Sequence, residues 1–313
     1  TELDVSRHTG ILDYQPSELV LTARAATPLK VLLDTLGGER QTLPFEPPLF
    51  GGRATRGGTV ACTLSGPARP WAGSARDLLL GVRLINGRGE LLKFGGQVMK
   101  NGAGDDVSRR QAGALGTLGV PSELSLTVLP LPEHSLTVSY EVDAIRAIDT
   151  MNRRAGQPGP LSGACWLDGR LYLRLAGTSA AVDHTARAWG GDLLTDDNHF
   201  WQDLRDMTLP WFAGPEPLWR FSVNPTAITA QLTTPALIDW GGAQRWLRGR
   251  HQLQSLQQVA DAAGGHVTLF SGGDRHAELR PPPDPVTRRL QQRLKQTFDP
   301  EGILNPGSLY DWL

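Results

Sequence analysis

The residues of this 313-residue chain best suited to chemistry are glycines rather than reactive side chains. The segment Ala54-Thr-Arg-Gly-Gly-Thr-Val-Ala-Cys-Thr-Leu-Ser-Gly-Pro pairs Gly57 with Gly58 and follows them with small residues. Without a Cβ in the way, main chain can approach a ligand closely, and successive N–H groups can cradle a pyrophosphate without a lysine. The same spacing also suits a turn that merely packs a helix on a sheet. Two further segments, Trp71-Ala-Gly-Ser-Ala-Arg-Asp and Leu115-Gly-Thr-Leu-Gly-Val, read singly as a loop entering a strand and as a tight turn, with Arg76 and Asp77 a solvated pair.

The polar side chains add little by themselves. His266 lacks a second histidine or a carboxylate at metal-site spacing and reads as structural, and His276 reads as exposed. Trp240 and Trp246 flank Gly241-Gly242 and read as core or subunit contacts. Arg69 and Arg76 could steer a small acid but read as solvated. Cys62 and Cys165 form neither a metal spacing nor a disulfide framework, and both are expected to be buried thiols.

The elements that must hold these segments follow from periodicity. Glu18 to Arg24 reads as a strand, and Thr27-Pro28 as an N-cap and first helical residue, the helix running through Leu29, Leu32 and Leu33 to Gly37-Gly38. Leu78 to Ile85 and Glu90 to Phe94 flank the turn Asn86-Gly-Arg-Gly, and Glu123 to Leu129 forms a third strand. Paired prolines at Pro130 and Pro132 mark a boundary, giving domains 1–132 and 133–313.

Past that boundary the order is strand (Ser135 to Val142), helix capped by Asp143 with Ile145, Ile148 and Met151 on one face, two strands joined at Asp168-Gly169, helix (Ser179 to Trp189) and strand at Asp192. That order is the ferredoxin-like split βαβ arrangement. Two helices, His251 to Ala263 and Pro285 to Phe298 with Asp284 as cap, bracket a strand at Gly265 to Phe270. The tail Asp299-Pro-Glu-Gly-Ile-Leu-Asn-Pro-Gly is turn chemistry.

With Lys plus Arg at 31 against Asp plus Glu at 32, the chain carries no basic excess that would drive nucleic-acid binding. No apolar run reaches the ~20 residues of a membrane helix, so the expected location is cytoplasmic, or peripheral to the inner membrane through a complex.

Taken in order, Pro44-Phe-Glu-Pro-Pro-Leu-Phe-Gly, Gly57 to Asp77, Lys93-Phe-Gly-Gly-Gln-Val-Met-Lys-Asn, Gly116-Thr-Leu-Gly-Val, Leu237 to Leu247, Gly264-Gly-His-Val-Thr and Phe298 to Gly307 closely resemble the FAD-binding subunit of bacterial glycolate oxidase. That subunit belongs to the vanillyl-alcohol-oxidase-like, PCMH-type family, and the resemblance covers nearly the whole chain. It implies an α+β fold, a PCMH-type FAD-binding domain followed by a ferredoxin-like cap, with FAD held mainly by main chain. Thr55, Gly57 and Gly58 match the turn near the pyrophosphate, and Ala61, Cys62, Thr63 and Leu64 the segment beneath it. Gly116, Leu118, Gly119 and Val120 match a later loop that lines the cofactor. Gly73 and Asp77 match a turn that Asp77 orders.

Three departures from the family pattern are visible. The strand and glycine-rich loop that precede the position of Leu3 in the family are not in this sequence, so half of the diphosphate cradle is expected to be missing. Lys100-Asn-Gly-Ala-Gly-Asp-Asp-Val carries Gly102 and Asp105 where the family has an apolar and an aromatic residue. Arg109-Arg-Gln-Ala-Gly-Ala is polar where the family is apolar. The His-x-Gly-Asp-Gly-Asn motif of catalytic relatives appears only as His266 and a misplaced Gly273-Asp274.

The resemblance therefore implies a subunit of a glycolate dehydrogenase complex, with a larger flavin subunit and an iron–sulfur subunit as partners, and no evident catalytic residue of its own. This chain has no four-cysteine set for such a cluster. An independent FAD-dependent 2-hydroxy-acid oxidoreductase and a cofactor-free scaffold of the same fold are the alternatives.

Overall fold

Short runs of alternating apolar and polar residues, reversed at asparagine and glycine, build the first half of the chain. The computed structural model describes residues 2–96, 105–195, 197–232, 236–274 and 279–313. Lys100 to Gly104, which carry one departure from the family pattern, and His276 lie outside the described residues.

In chain order the elements are β1 (Ile11–Gln15), β2 (Val20–Arg24), α1 (Leu29–Gly38), β3 (Gln41–Thr42), α2 (Arg56–Cys62), α3 (Arg69–Ala72), β4 (Leu79–Ile85), β5 (Leu91–Gly95), α4 (Asp105–Gln111), β6 (Val120–Thr127) and β7 (Leu129–Pro130). Then follow β8 (His134–Glu141), α5 (Ala144–Ala155), β9 (Leu161–Leu167), β10 (Arg170–Gly177), α6 (Ser179–Trp189), β11 (Asp192–Leu193), α7 (Asp197–Asp206), β12 (Leu218–Ser222), β13 (Leu237–Asp239), β14 (Gln244–Arg248), α8 (Leu253–Ala262), β15 (His266–Ser271) and α9 (Pro285–Phe298).

These elements group into two units. Residues 1–66, 73–131 and 283–313 form the first, and 67–72 with 132–282 form the second. The division is thus not a single cut near Pro132. The terminal residues 283–313, expected with the second domain, belong to the first unit because Phe298 packs on its core and Lys295 donates to Thr117 O.

The first unit has a five-stranded antiparallel sheet in the order β1-β2-β6-β4-β5. Its inner face supplies Leu21, Ala23, Leu124 and Leu126, which bury against Leu29, Leu32 and Leu36 of α1 and against Phe45. At roughly 1.5–3 kcal/mol per buried side chain, this apolar contact is what holds α1 to the sheet. The expected Thr27 cap is absent. Pro28 occupies the N-cap position, and the Thr27 hydroxyl accepts from Gly10 N–H and donates to Arg24 O instead.

The second unit opens as the sequence order implies. Strands β11-β8-β10-β9 form a ferredoxin-like sheet with α5 and α6, and β13-β14-β12-β15 extend it to eight strands. Asp143 caps α5 by accepting from Arg146 N–H. Ile148 and Met151 are buried, but Ile145 is exposed, and Ala144 and Ala147 complete the buried face in its place. Asp168 and Gly169, both at positive φ, make the two-residue hairpin between β9 and β10.

Candidate functional site

The glycine-rich segment is a helix rather than a turn. Two adjacent glycines weaken a helix, and α2 forms because its first turn is secured from outside. Thr55 accepts from Gly58 N–H at 3.2 Å, Arg56 N–H donates to Thr27 O at 3.0 Å, and Gly57 N–H donates to Ala25 O at 2.7 Å. A Cβ on Gly57 would lie 2.9 Å from the Ala25 Cβ, so this glycine is required by close packing on the end of β2. Of the residues matched to the turn near the pyrophosphate, Gly57 and Gly58 therefore have their N–H groups engaged within the protein.

What α2 offers outward is a face of small residues. Gly58 and Cys62 are exposed, and Ala61, Thr63 and Leu64 are half-buried. The expectation of two buried thiols holds for Cys165 but not for Cys62. This face is a wall of small residues along which main chain lets a ligand come close, not an anion cradle.

The structure brings the loop at Gly116 against that wall. Gly113 N–H donates to Val60 O and Leu115 N–H to Ala61 O, each at 3.0 Å. Gly116 has φ +73, and a Cβ there would lie 2.7 Å from Asn305 Nδ2. Asn305 in turn donates to Leu115 O at 2.7 Å. Leu118 and Gly119 are buried and Val120 opens β6. Gly73, at φ +85, starts a turn in which Asp77 accepts from Ser74 N–H at 2.9 Å and Ser74 Oγ at 2.7 Å, so Asp77 orders the loop.

A second set of residues, in the second unit, joins Arg69 and His266, read from sequence as solvated and structural, with Arg220 and Arg280, which the sequence does not single out. Arg220 lies mid-strand in β12, paired with Thr268 on one side and Trp246 on the other. Its guanidinium carbon stands 5.9 Å from the ring centre of Trp240, and that of Arg69 stands 4.5 Å from the same ring. Burial lowers the Arg220 pKa to about 10, helped by the charges of Arg69 and Arg280. Burial together with Arg220 and Arg280 also lowers the pKa of His266, which pairs with Ser222 of β12. Arg220 and His266 thus share one face of the β12–β15 pair, and Arg69 and Arg280 stand close enough for their charges to act on Arg220. Trp240 and Trp246 are buried, as core residues. Local sequence gives no sign of this grouping, because residues 69, 220, 266 and 280 meet only through the fold.

Among the described residues no group of three His, Cys, Asp or Glu could hold a metal ion, and no helix is long and apolar enough to cross a membrane.

Comparison with known proteins agrees with these features. Residues 1–95 match the FAD binding domain, and residues 271–309 match the C-terminal domain of FAD linked oxidases. The chain is 46% identical over 308 residues to glycolate oxidase subunit GlcE of Escherichia coli, covering 98% of this chain and 87% of that protein. It is 24% identical to a D-lactate dehydrogenase of Archaeoglobus fulgidus, covering 95% of this chain and 79% of the relative. The solved structure of an alkyldihydroxyacetonephosphate synthase shares the fold, with a TM-score of 0.65 at 14% identity over 97% of this chain and 67% of that one. FAD is the cofactor of the matched domains. The identity to GlcE runs almost end to end, through both the α2 wall and the cap strands, and the chain belongs to the GlcE family of FAD-linked oxidase subunits.

Proposed function

We propose that this chain is the FAD-binding subunit of a glycolate oxidase complex, in which glycolate is oxidised to glyoxylate and electrons pass to an iron–sulfur subunit. The observation that carries this reading is the 46% identity to GlcE along 98% of the chain. The cationic side of the second unit supports it, since Arg69, Arg220 and Arg280 suit an acidic substrate. FAD supplies the hydride acceptor when bound. The chain's own residues supply the wall along Gly58, Ala61 and Cys62 and the positive field around Trp240.

A larger flavin subunit is the proposed partner on this reading. A local stretch of 66 residues is 33% identical to glycolate oxidase subunit GlcD of Bacillus subtilis, which shows that related subunits share such segments. The test is co-purification of the chain with the other subunits, followed by a flavin absorbance scan and glycolate-dependent dye reduction. A colourless chain that neither joins the complex nor changes FAD fluorescence on titration would end the proposal.

A further inference from the structure

Three consecutive residues between β13 and β14 stand at positive φ: Trp240 (+55), Gly241 (+65) and Gly242 (+103). Glycine adopts such backbone freely, but a bulky side chain there is an outlier that persists only where its surroundings fix it from several sides. They do so here. Asp239 accepts from Trp240 N–H at 2.7 Å, the fully buried Arg245 donates to Gly242 O at 3.0 Å, and Asn152 of α5 donates to Gly241 O at 3.4 Å. A Cβ on Gly242 would strike Pro225 O, so the bend admits no larger residue at that point.

Packing alone gives no reason to strain a core tryptophan. What the bend places is an indole ring that carries two guanidiniums, that of Arg69 at 4.5 Å and that of Arg220 at 5.9 Å from its centre. The charges of Arg69 and Arg280 act unfavourably on Arg220. Among the described residues the Arg220 guanidinium makes no ion pair and no hydrogen bond. The contact that opposes the repulsion is the electron-rich face of Trp240, which attracts a desolvated guanidinium more strongly than an exposed one.

We propose that Trp240 is a positioning residue, whose strained backbone and ring fix where the Arg220 charge stands relative to His266. It acts through Arg220 and does not itself touch the substrate. This role rests on the assignment of the substrate acid to Arg220 and gives that assignment its structural support.

The test is a double-mutant cycle in the full chain, read first without substrate as the His266 pKa from a ring-carbon titration by NMR. Trp240→Leu should raise that pKa in the otherwise unchanged chain, because the Arg220 charge is no longer held near the imidazole. The same change should leave it unmoved in an Arg220→Gln background. Trp240→Phe keeps a ring of weaker pull, should give a smaller rise, and serves if Trp240→Leu does not fold. In the assembled complex Trp240→Leu should raise the KM for glycolate about threefold or more, with a smaller change in kcat. An unmoved His266 pKa, or the same rise in both backgrounds, would overturn the proposal. A rise confined to the chain with Arg220, together with an unchanged KM, would uphold Trp240 as the residue that places Arg220 and overturn instead the assignment of the acid to that arginine.

Discussion

Lys295 and Asp299, one helical turn apart at the end of α9, form an ion pair of 2.7 Å in which the carboxylate is fully buried. Both partners are saturated from the rest of the first unit. Lys295 Nζ donates to Thr117 O at 2.9 Å and Leu304 O at 2.7 Å, while Asp299 accepts from Ile303 N–H at 3.1 Å and Leu304 N–H at 2.8 Å. The pair thereby ties the terminal tail and the loop before β6 to one helix end.

Removing one member should leave the other charge buried and unmatched. Asp299→Asn is expected to cost about 3 kcal/mol, within the range for broken buried pairs, and urea denaturation reads it directly. Burial raises the Asp299 pKa, but the Lys295 hydrogen bond and the Leu304 and Ile303 N–H groups outweigh it, so the net shift is downward. A carboxylate depressed in the folded state contributes stability above its unfolded pKa of about 3.9 and loses it as pH falls through the lower folded value. The wild type should therefore lose stability below about pH 4 more steeply than Asp299→Asn. Equal acid slopes in the two proteins would remove Asp299 from this account.

Arg56 presents the opposite case. It is fully buried, with one hydrogen bond, Nη2 to Leu21 O at 2.7 Å, and with Nε and Nη1 unmatched. Burial lowers its pKa to about 9. The unfolded chain then binds more protons above that value, so stability should rise with pH from about 9 upward, and the full cost is present at neutrality. Arg56→Met is expected to stabilise by about 1–4 kcal/mol and to flatten that alkaline rise, as measured by calorimetry between pH 7 and 10.5. A lower melting temperature in Arg56→Met would mean that the guanidinium is needed where it is.

Much of this architecture is legible in local sequence, because its signals are local. The Asp143 and Asp284 caps and the Asp168-Gly169 hairpin each rest on neighbours within four residues. Helix α2 was read as a turn because Gly57-Gly58 disfavours a helix, and the carbonyls of Ala25 and Thr27 that rescue it come from about 30 residues away. Ile145 fits the apolar period of α5, but the buried stripe runs one position off it, through Ala144. Residues 283–313 return to the first unit through contacts such as Lys295 to Thr117, which no window of sequence contains.

Cys62 offers a direct probe of the α2 wall. It is exposed, whereas Cys165 is buried, and burial around each sulfur pushes the thiol pKa up. A thiol reagent at pH 8 should label one cysteine in the native protein, slowly, and two in denaturant. On the proposed reading FAD covers Gly58 and Cys62 and should slow the native labelling. An unchanged rate at saturating FAD would move the cofactor off this face.

Arg220 is where the substrate reading is most exposed to test. Its charge is partly buried, and the nearby charges of Arg69 and Arg280 add to the effect of burial in lowering its pKa. Arg220→Gln in the assembled complex should raise the KM for glycolate about tenfold to a hundredfold, with a smaller change in kcat, if the guanidinium binds the carboxylate equally in ground and transition states. Arg220→Lys should recover part of the loss, because it restores the charge without the planar fork. The same Arg220→Gln change should raise the His266 pKa, since it removes one of the two charges that hold the imidazole neutral while leaving the larger effect of burial in place. A ring-carbon titration by NMR reads that shift without any substrate. A raised His266 pKa with an unchanged KM would keep the electrostatic cluster but place the acid elsewhere.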